Sequence, residues 1–315
     1  MLTVGIPTVE RLGYLEELLR TLQAQTDRRF EIVVSQDLDL PKVTEWCQEN
    51  AGRYNFRFKK NTCRQGLAGN WNSIVEAAQC TYTAILGDDD RVSPTFVAET
   101  LNAAGDHADL VFCEQNTIDE NGCRLGGEQW DLASRYGRNV LTSGPIADPL
   151  ALAWRNAIPM TGSIIRTDLL RKHPFNTDLN TPELEFFVRA LSEKSRVIYV
   201  PHRLVDYRMH GNSATSTGLR NDRLVAALMG IVAPPHVERQ KRQLLDHLLI
   251  NGISRAVAAG NSQLARRMLE SHYFSGGLRG TYFKALLALG TPLASVIHRS
   301  VRTLKNRNHY RGAAV

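Results

Sequence analysis

The 315-residue sequence lacks several features that define large classes of proteins. Its five cysteines are odd in number and form no C-x-x-C pair, which argues against a disulfide framework and against a thiolate metal site. No window approaches 18 uninterrupted apolar residues, so no transmembrane helix is predicted. The first seven residues have no basic leader and predict a first strand, not a signal peptide. These absences favour a globular protein with reduced thiols in the cytoplasm.

The signature motifs of several enzyme classes are also missing. The chain has no G-x-x-x-x-G-K-[ST], no G-x-S-x-G, no H-E-x-x-H and no G-x-G-x-x-G after a strand. A P-loop kinase, an α/β-hydrolase, a zinc protease and a dinucleotide oxidoreductase are therefore not favoured.

Charge is unevenly distributed along the chain. Residues 1–218 hold 23 Lys/Arg against 28 Asp/Glu, whereas residues 219–315 hold 15 against 4. A basic C-terminal region on a mildly acidic body indicates contact with an anionic surface, either a membrane leaflet or nucleic acid, and a solvated helical face is the alternative. Because aromatic residues are sparse in this region, no nucleic-acid partner is expected.

Residues 1–113 alternate short β-branched runs with helical patterns. In the first helical pattern, Tyr14 to Gln23, four leucines recur on one face. This alternation predicts a mostly parallel sheet flanked by helices, whose ligands bind outside the carboxyl ends of the strands. Residues 114–160 are less regular and are expected to form a lid or an acceptor-side insertion.

From Leu219 onward the patterns are helical, without strands. A long helical stretch around 278–304 contains the apolar run Ala285 to Ala294, which cations follow. It is too short to span a bilayer. The run therefore indicates either a helix lying in a membrane interface or a core helix with exposed arginines.

Three consecutive acids, Asp88 to Asp90, follow an apolar run that ends at Leu86-Gly87. Clustered carboxylates repel each other unless a cation or solvent compensates them. The cluster therefore predicts either a divalent-cation site that carries a diphosphate or an exposed turn before the helix that Ser93-Pro94 starts.

Several short motifs occur in a fixed order: Ile6-Pro7-Thr8, Glu31 to Val34 with Asp37, Gly66-Leu67-Ala68, Leu86 to Asp90 with Pro94, Glu183 to Arg189, and Tyr207-Arg208-Met209-His210. The ordered set resembles family-2 glycosyltransferases of the GT-A fold, of the bacterial cell-surface polysaccharide type. This resemblance implies a GT-A domain over residues 1–218, with a nucleotide-sugar half of about 1–113 and an acceptor half of about 114–218. The basic helical region, 219–315, lies outside the common pattern.

The resemblance also implies a reaction. The expected enzyme is an inverting, metal-dependent glycosyltransferase that uses Mn²⁺ or Mg²⁺ and a nucleotide diphospho-sugar of the UDP or dTDP type. Its acceptor would be a glycan or a lipid-linked saccharide, and the protein would be cytoplasmic or peripheral on the inner face of the membrane. The alternatives are a sugar nucleotidyltransferase, whose glycine- and lysine-rich loop is absent after strand one, and a non-catalytic sugar-nucleotide- or nucleic-acid-binding protein.

Donor-binding roles are implied for residues at the ends of the first strands. A carboxylate there can accept the N3–H of uracil or thymine, and the alternative for the acid after strand two is a turn-forming aspartate. Asp88 is expected to contact the donor ribose, and the remaining candidates are expected to shape the pocket or to reach base and phosphate. The donor-binding candidates are Pro7, Thr8, Glu10, Asp37, Arg64 and Asp88.

Asp89 is the expected metal ligand, with Asp90 as a second ligand or as an orienter, and His210 as a further ligand. Counting back from Pro94 puts Gly87 where many relatives carry the first acid of D-x-D, so the register departs from the common pattern.

Glu183 is the expected general base, because an attacking hydroxyl must lose its proton to a nearby group. Pro182-Glu183 replaces the Glu-Asp pair of many relatives, and Glu185 is the second candidate. Both glutamates also suit a helix N-terminus for purely structural reasons.

Overall fold

The computed structural model describes residues 1–209 and 221–311 of the chain. The chain divides into two compact units, Met1–Leu219 and Arg220–Val315. The first unit combines a sheet with helices, and the described part of the second unit is helical. His210 lies outside the described residues.

The first unit is built on one sheet. Nine strands are present among the described residues: β1 Leu2–Thr8, β2 Phe30–Gln36, β3 Phe56–Lys60, β4 Tyr82–Ile85, β5 Arg91–Val92, β6 Leu110–Ile118, β7 Gly144–Pro145, β8 Ser163–Arg166 and β9 Val197–Arg208. Eight of them follow the order β3-β2-β1-β4-β8-β6-β9-β5, and β7 pairs with β9 as well.

Most strands of this sheet point the same way. β1 pairs in parallel with β2 and β4, and β2 pairs in parallel with β3. β8 lies antiparallel between β4 and β6, which restores the original direction for β6 and for its parallel neighbour β9. The short strands β5 and β7 are antiparallel to β9. The carboxyl ends of β1, β2 and β4 therefore meet at one edge.

Eight helices accompany the sheet in the described part of this unit: α1 Leu12–Gln23, α2 Pro41–Tyr54, α3 Gly66–Ala77, α4 Phe96–Ala104, α5 Leu132–Arg135, α6 Pro149–Trp154, α7 Thr167–Lys172 and α8 Glu183–Ala190. The predicted face of α1 is the buried one, since Leu15, Leu18, Leu19 and Leu22 are inaccessible to solvent. These leucines join strand residues such as Val4 in one hydrophobic core, which fixes the loops at the strand ends.

The second unit contains α9 Asn221–Gly230, α10 Glu238–Ala258, α11 Ser262–Leu269, α12 Gly277–Ala288 and α13 Thr291–Arg311. The stretch around 278–304 is helical as predicted, but it consists of two helices, because the helix is interrupted between α12 and α13. Gly290 there has a φ of 85°, which glycine adopts readily, and Pro292 follows at the start of α13.

None of the described helices combines the length and the apolar character needed to cross a bilayer. The apolar run Ala285 to Ala294 is divided between the end of α12, a turn and the start of α13. Leu286 and Leu287 are buried there, whereas Leu289 and Leu293 are exposed. The run is thus neither a single core helix nor a single interfacial helix.

Candidate active site

Polar side chains gather where β1, β2 and β4 end. The backbone N–H of Asp37, just after β2, donates to the carbonyl of Thr8 at the end of β1 (3.2 Å). The Thr8 hydroxyl in turn donates to Asp88 Oδ2, in the loop after β4, over 2.8 Å. The parallel strands thereby bring residues that are far apart in sequence to one edge of the sheet.

The three acids of the β4 loop are buried, which excludes the alternative of an exposed turn. Asp88, Asp89 and Asp90 are 1%, 9% and 2% exposed. Burial raises the pKa of Asp88 to about 6, an effect that Arg11 opposes and Asp89 increases. Burial and the neighbouring Asp89 also raise the pKa of Asp90 well above its usual range. Such crowding of carboxylates favours a bound cation.

Arg11, in the loop between β1 and α1, provides a positive charge at this cluster. Its guanidinium donates to Asp88 Oδ1 over 2.5 Å and to Asp89 Oδ2 over 2.6 Å. The side chain is about one third exposed, whereas the Asp88 carboxylate is almost fully buried. Arg11 is not among the predicted site residues, although clustered acids indicate that a cation lies nearby.

Gly87 allows two of the carboxylates to converge. A Cβ atom at this position would lie 2.6 Å from Asp89 Oδ1 and 2.9 Å from Asp90 Oδ2. Both oxygens therefore occupy the space beside the Gly87 backbone that any other side chain would fill. This departure from the common acidic residue thus has a local geometric explanation.

A second arginine, Arg208 at the end of β9, holds the backbone of the acidic loop. Its Nε donates to the carbonyl of Asp89 (2.7 Å) and its backbone N–H donates to Asp90 Oδ1 (3.0 Å). Its remaining nitrogens bind Glu17 of α1 and the carbonyls of Asp119 and Glu120, while the guanidinium stacks over Tyr14. Arg208 is fully buried and therefore fixes the loop without being able to move far. Arg208 belongs to the motif Tyr207-Arg208-Met209-His210 but is not among the predicted site residues.

Asp37 is buried and already accepts two backbone hydrogen bonds at the start of α3. Its Oδ1 accepts from Gln65 N (2.8 Å) and its Oδ2 accepts from Gly66 N (3.0 Å). The Asn61 amide also donates to Oδ1 over 3.4 Å. This pattern is that of a turn-stabilising aspartate, although Oδ2 has a second lone pair for a ligand. Arg64, one residue before this turn, is exposed to solvent.

An open cavity of about 680 Å³ lies beside these strand ends. It is lined by Glu10 and Arg11, by the first turn of α1, and by the segment Leu40 to Val43 at the start of α2. Pro7, near the end of β1, is partly buried, and Glu10, in the loop that follows, is exposed. A ligand could therefore approach the acidic cluster from this side.

The two candidate bases occupy the first turn of α8 but differ in environment. Glu185 is buried and forms a two-point ion pair with Arg189, at 2.5 and 3.2 Å. Glu183 is only partly buried, yet desolvation raises the pKa of its carboxyl to about 7. A carboxylate with such a pKa suits proton abstraction near neutral pH, whereas Glu185 is held by its partner.

Within residues 1–209 and 221–311, no group of three or more His, Cys, Asp or Glu side chains forms a complete metal site. The predicted third ligand, His210, is not among those residues. Asp89 and Asp90 each place one carboxylate oxygen beside the backbone of Gly87. Mg²⁺ commonly binds one or two protein carboxylates and completes its shell with substrate phosphates.

The mixed sheet, with its acidic loop after β4, has the architecture of the GT-A fold. Residues 3–142 match the family model described as glycosyl transferase family 2. The predicted family is confirmed over these residues, and the predicted fold class is confirmed as well.

Relatives and solved structures agree with this assignment. The GalNAc(5)-diNAcBac-PP-undecaprenol beta-1,3-glucosyltransferase of Campylobacter jejuni is 23% identical over 220 residues, 69% of this chain and 67% of that protein. Across other curated relatives the match covers 58% and 64% of their length. S. aureus TarS 1-349 in complex with UDP-GlcNAc has a TM-score of 0.65 at 16% identity, covering 96% of this chain and 91% of that one. The mannosyltransferase PcManGT of Pyrobaculum calidifontis, in complex with GDP-Man and Mn²⁺, has a TM-score of 0.57 at 19% identity, covering 96% and 86%.

We predict that Gly87→Ala disrupts the convergence of Asp89 and Asp90, because the added methyl group would overlap both carboxylates. Overpacking of this kind should lower the free energy of unfolding by about 1–3 kcal/mol in urea. Gly126→Ala is the control, since a methyl group there meets nothing within 4 Å. Equal stability of the two variants would show that the acidic loop accommodates a side chain at this position.

Proposed function

We propose that this protein transfers a sugar, with inversion, from a nucleoside diphospho-sugar to a hydroxyl group of a glycan or a lipid-linked saccharide. The observation that carries the proposal is the buried cluster Asp88 to Asp90 at the carboxyl end of β4. Transfer from such a donor releases a diphosphate, whose negative charge grows as the anomeric bond breaks. A site for that reaction needs positive charge, and buried carboxylates at a sheet edge are suited to hold it as a metal ion.

Asp89 and Asp90 would hold Mn²⁺ or Mg²⁺, and the donor diphosphate would complete the coordination. Their two oxygens beside Gly87 support this assignment, because carboxylate oxygens are the ligands these ions prefer. When bound, the ion would neutralise charge that develops on the leaving diphosphate. The Mn²⁺ in the complex of PcManGT supports the choice of metal.

The nucleoside part of the donor would bind across the ends of β1, β2 and β4. Asp88 is placed by the hydroxyl group of Thr8, so its carboxylate is oriented for a ribose hydroxyl. Asp37 would accept the base N3–H through a remaining lone pair, and exposed Arg64 would reach the base or a phosphate. Pro7 and Glu10 would border this pocket. The UDP-GlcNAc complex of TarS supports a UDP-type donor.

Glu183 would accept the proton of the attacking hydroxyl group. Its raised pKa supports this role over Glu185, whose carboxylate is engaged by Arg189. One base opposite the leaving group favours a single in-line displacement, which inverts the anomeric centre. The described site offers no activated nucleophile of the kind that a covalent intermediate requires.

A panel of nucleotide sugars tests the proposal directly through thermal shifts with and without Mn²⁺. One donor should raise the melting temperature in a metal-dependent way, since a ligand that binds only the native state stabilises it. Asp89→Asn should abolish this stabilisation. The matched control is Asp119→Asn, a change in the hairpin after β6 that should keep it. Stabilisation by no donor, or by one donor equally without metal, would contradict the proposed chemistry.

Glu183→Gln should lower kcat/KM on the order of 10²- to 10⁴-fold while donor binding stays unchanged, because only proton transfer is lost.

A protonated Glu183 cannot accept a proton, so wild-type kcat/KM should rise with pH through about 7. Its raised folded-state pKa also means that its contribution to stability is present at low pH and is lost as pH rises toward 7. If the Glu183→Gln variant kept the fall of kcat/KM at low pH and the Glu185→Gln variant lost it, Glu185 would be the general base.

The acceptor would be presented at a membrane through the second unit, as a lipid-linked acceptor requires. Residues 219–315 carry 15 Lys/Arg against 4 Asp/Glu. Leu293 and Val296, three residues apart in α13, are 50% and 62% exposed, and Leu289 at the end of α12 is 53% exposed. Exposed apolar side chains within a basic region are typical of proteins that bind anionic lipid surfaces. The undecaprenol-linked substrate named for the Campylobacter relative supports this interpretation.

The double substitution of Leu293 and Val296 by aspartate should reduce co-sedimentation with phosphatidylglycerol vesicles several-fold, because charged side chains cannot enter the lipid interface. Val140→Asp is the control, since Val140 is an apolar residue of the first unit that is more exposed still, at 76%. Equal sedimentation of the double variant and the wild type would remove the membrane from the proposal.

A further inference from the structure

Arg11 occupies the same carboxylate that the proposed metal needs. One guanidinium nitrogen donates to Asp89 Oδ2 over 2.6 Å, and another donates to Asp88 Oδ1 over 2.5 Å. The donor-free protein therefore already carries a cation at its acidic cluster. A divalent ion bound at the other oxygen, Asp89 Oδ1, would share this carboxylate with Arg11, and the two positive charges would repel each other.

The ion pair has a clear function in the donor-free state. Three nearly buried carboxylates in sequence repel one another, and a buried charge without a partner is strongly destabilising. Arg11 supplies the charge that compensates two of them. If Arg11 left the cluster and no other cation replaced it, the charges of Asp88 and Asp89 would be uncompensated.

The two arginines at the cluster differ in their freedom to move. Arg208 is fully buried, stacks on Tyr14 and binds carbonyl groups as well as Glu17. Arg11 is about one third exposed, and it belongs to the loop before α1, where it lines the open cavity of about 680 Å³. Arg11 is thus the cation that can leave the carboxylates without unfolding the loop.

We propose that Arg11 is an exchangeable counter-ion: it neutralises Asp88 and Asp89 in the donor-free enzyme and passes to the donor diphosphate when a divalent cation takes its place. This inference rests on the proposed function. It follows that metal and nucleotide bind cooperatively. Without a diphosphate, release of Arg11 from Asp89 has no compensation, whereas a bound diphosphate offers the guanidinium a new anionic partner.

The test is Mn²⁺ binding, measured by the electron paramagnetic resonance signal of free Mn²⁺, with and without UDP. Wild-type protein should bind Mn²⁺ weakly alone and at least about tenfold more tightly with UDP, within the usual range of coupling between sites. Arg11→Gln should bind Mn²⁺ alone about tenfold more tightly than wild type and should lose most of the gain from UDP. Arg20→Gln is the matched control, because Arg20 is an exposed arginine of α1 that pairs with Glu16, and it should keep the wild-type affinity for Mn²⁺ alone and the wild-type gain from UDP.

Arg11→Lys guards against a folding defect in the glutamine variant. Lysine keeps the positive charge but cannot bridge two carboxylates with a planar fork, so Mn²⁺ affinity without UDP should lie between the other two. An Arg11→Gln protein that binds Mn²⁺ no more tightly than wild type, with the UDP effect intact, would overturn the exchange and leave the proposed function standing. Wild-type protein that binds no Mn²⁺ even with UDP would overturn both.

Discussion

Compensation of buried negative charge organises the first unit of this protein. Three carboxylates are withdrawn from water at the end of β4, where their mutual repulsion would destabilise the folded state. Two arginines offset it in different ways, because Arg11 pairs with the carboxylates and Arg208 holds the backbone of the same loop. The folded protein thus keeps three acidic side chains together at one edge of the sheet, next to two arginines.

The position of Arg208 connects this charge cluster to the rest of the sheet. β9 pairs with β6 in parallel, and its last residue reaches across to the acidic loop, to α1 and to the hairpin after β6. The region that follows β4 and the region that follows β6 are thereby held in a fixed relation. The proposed in-line displacement requires such fixed geometry, with a rigid donor site and a base placed separately at the start of α8.

Much of this architecture could be predicted from the sequence, because it depends on local periodicity. The leucine face of α1 is buried, the acids follow a buried strand, and the glutamates begin α8. Partners that depend on long-range geometry could not be predicted. The pairing of Arg11 with Asp88 spans 77 positions and that of Arg208 with the carbonyl of Asp89 spans 119. A one-dimensional pattern indicates that clustered acids need a cation but not which arginine supplies it.

The break at Gly290 and the two backbone hydrogen bonds that Asp37 accepts at the start of α3 were also not predictable from the sequence, since each depends on a single backbone conformation.

The most direct test of the proposed metal site is a crystal structure with Mn²⁺ and UDP, with diffraction data collected at the manganese absorption edge. We expect an anomalous peak between the carboxylates of Asp89 and Asp90, from a manganese ion that also contacts the diphosphate of UDP. UDP bound at this edge of the sheet, with no manganese peak beside these two residues, would contradict it.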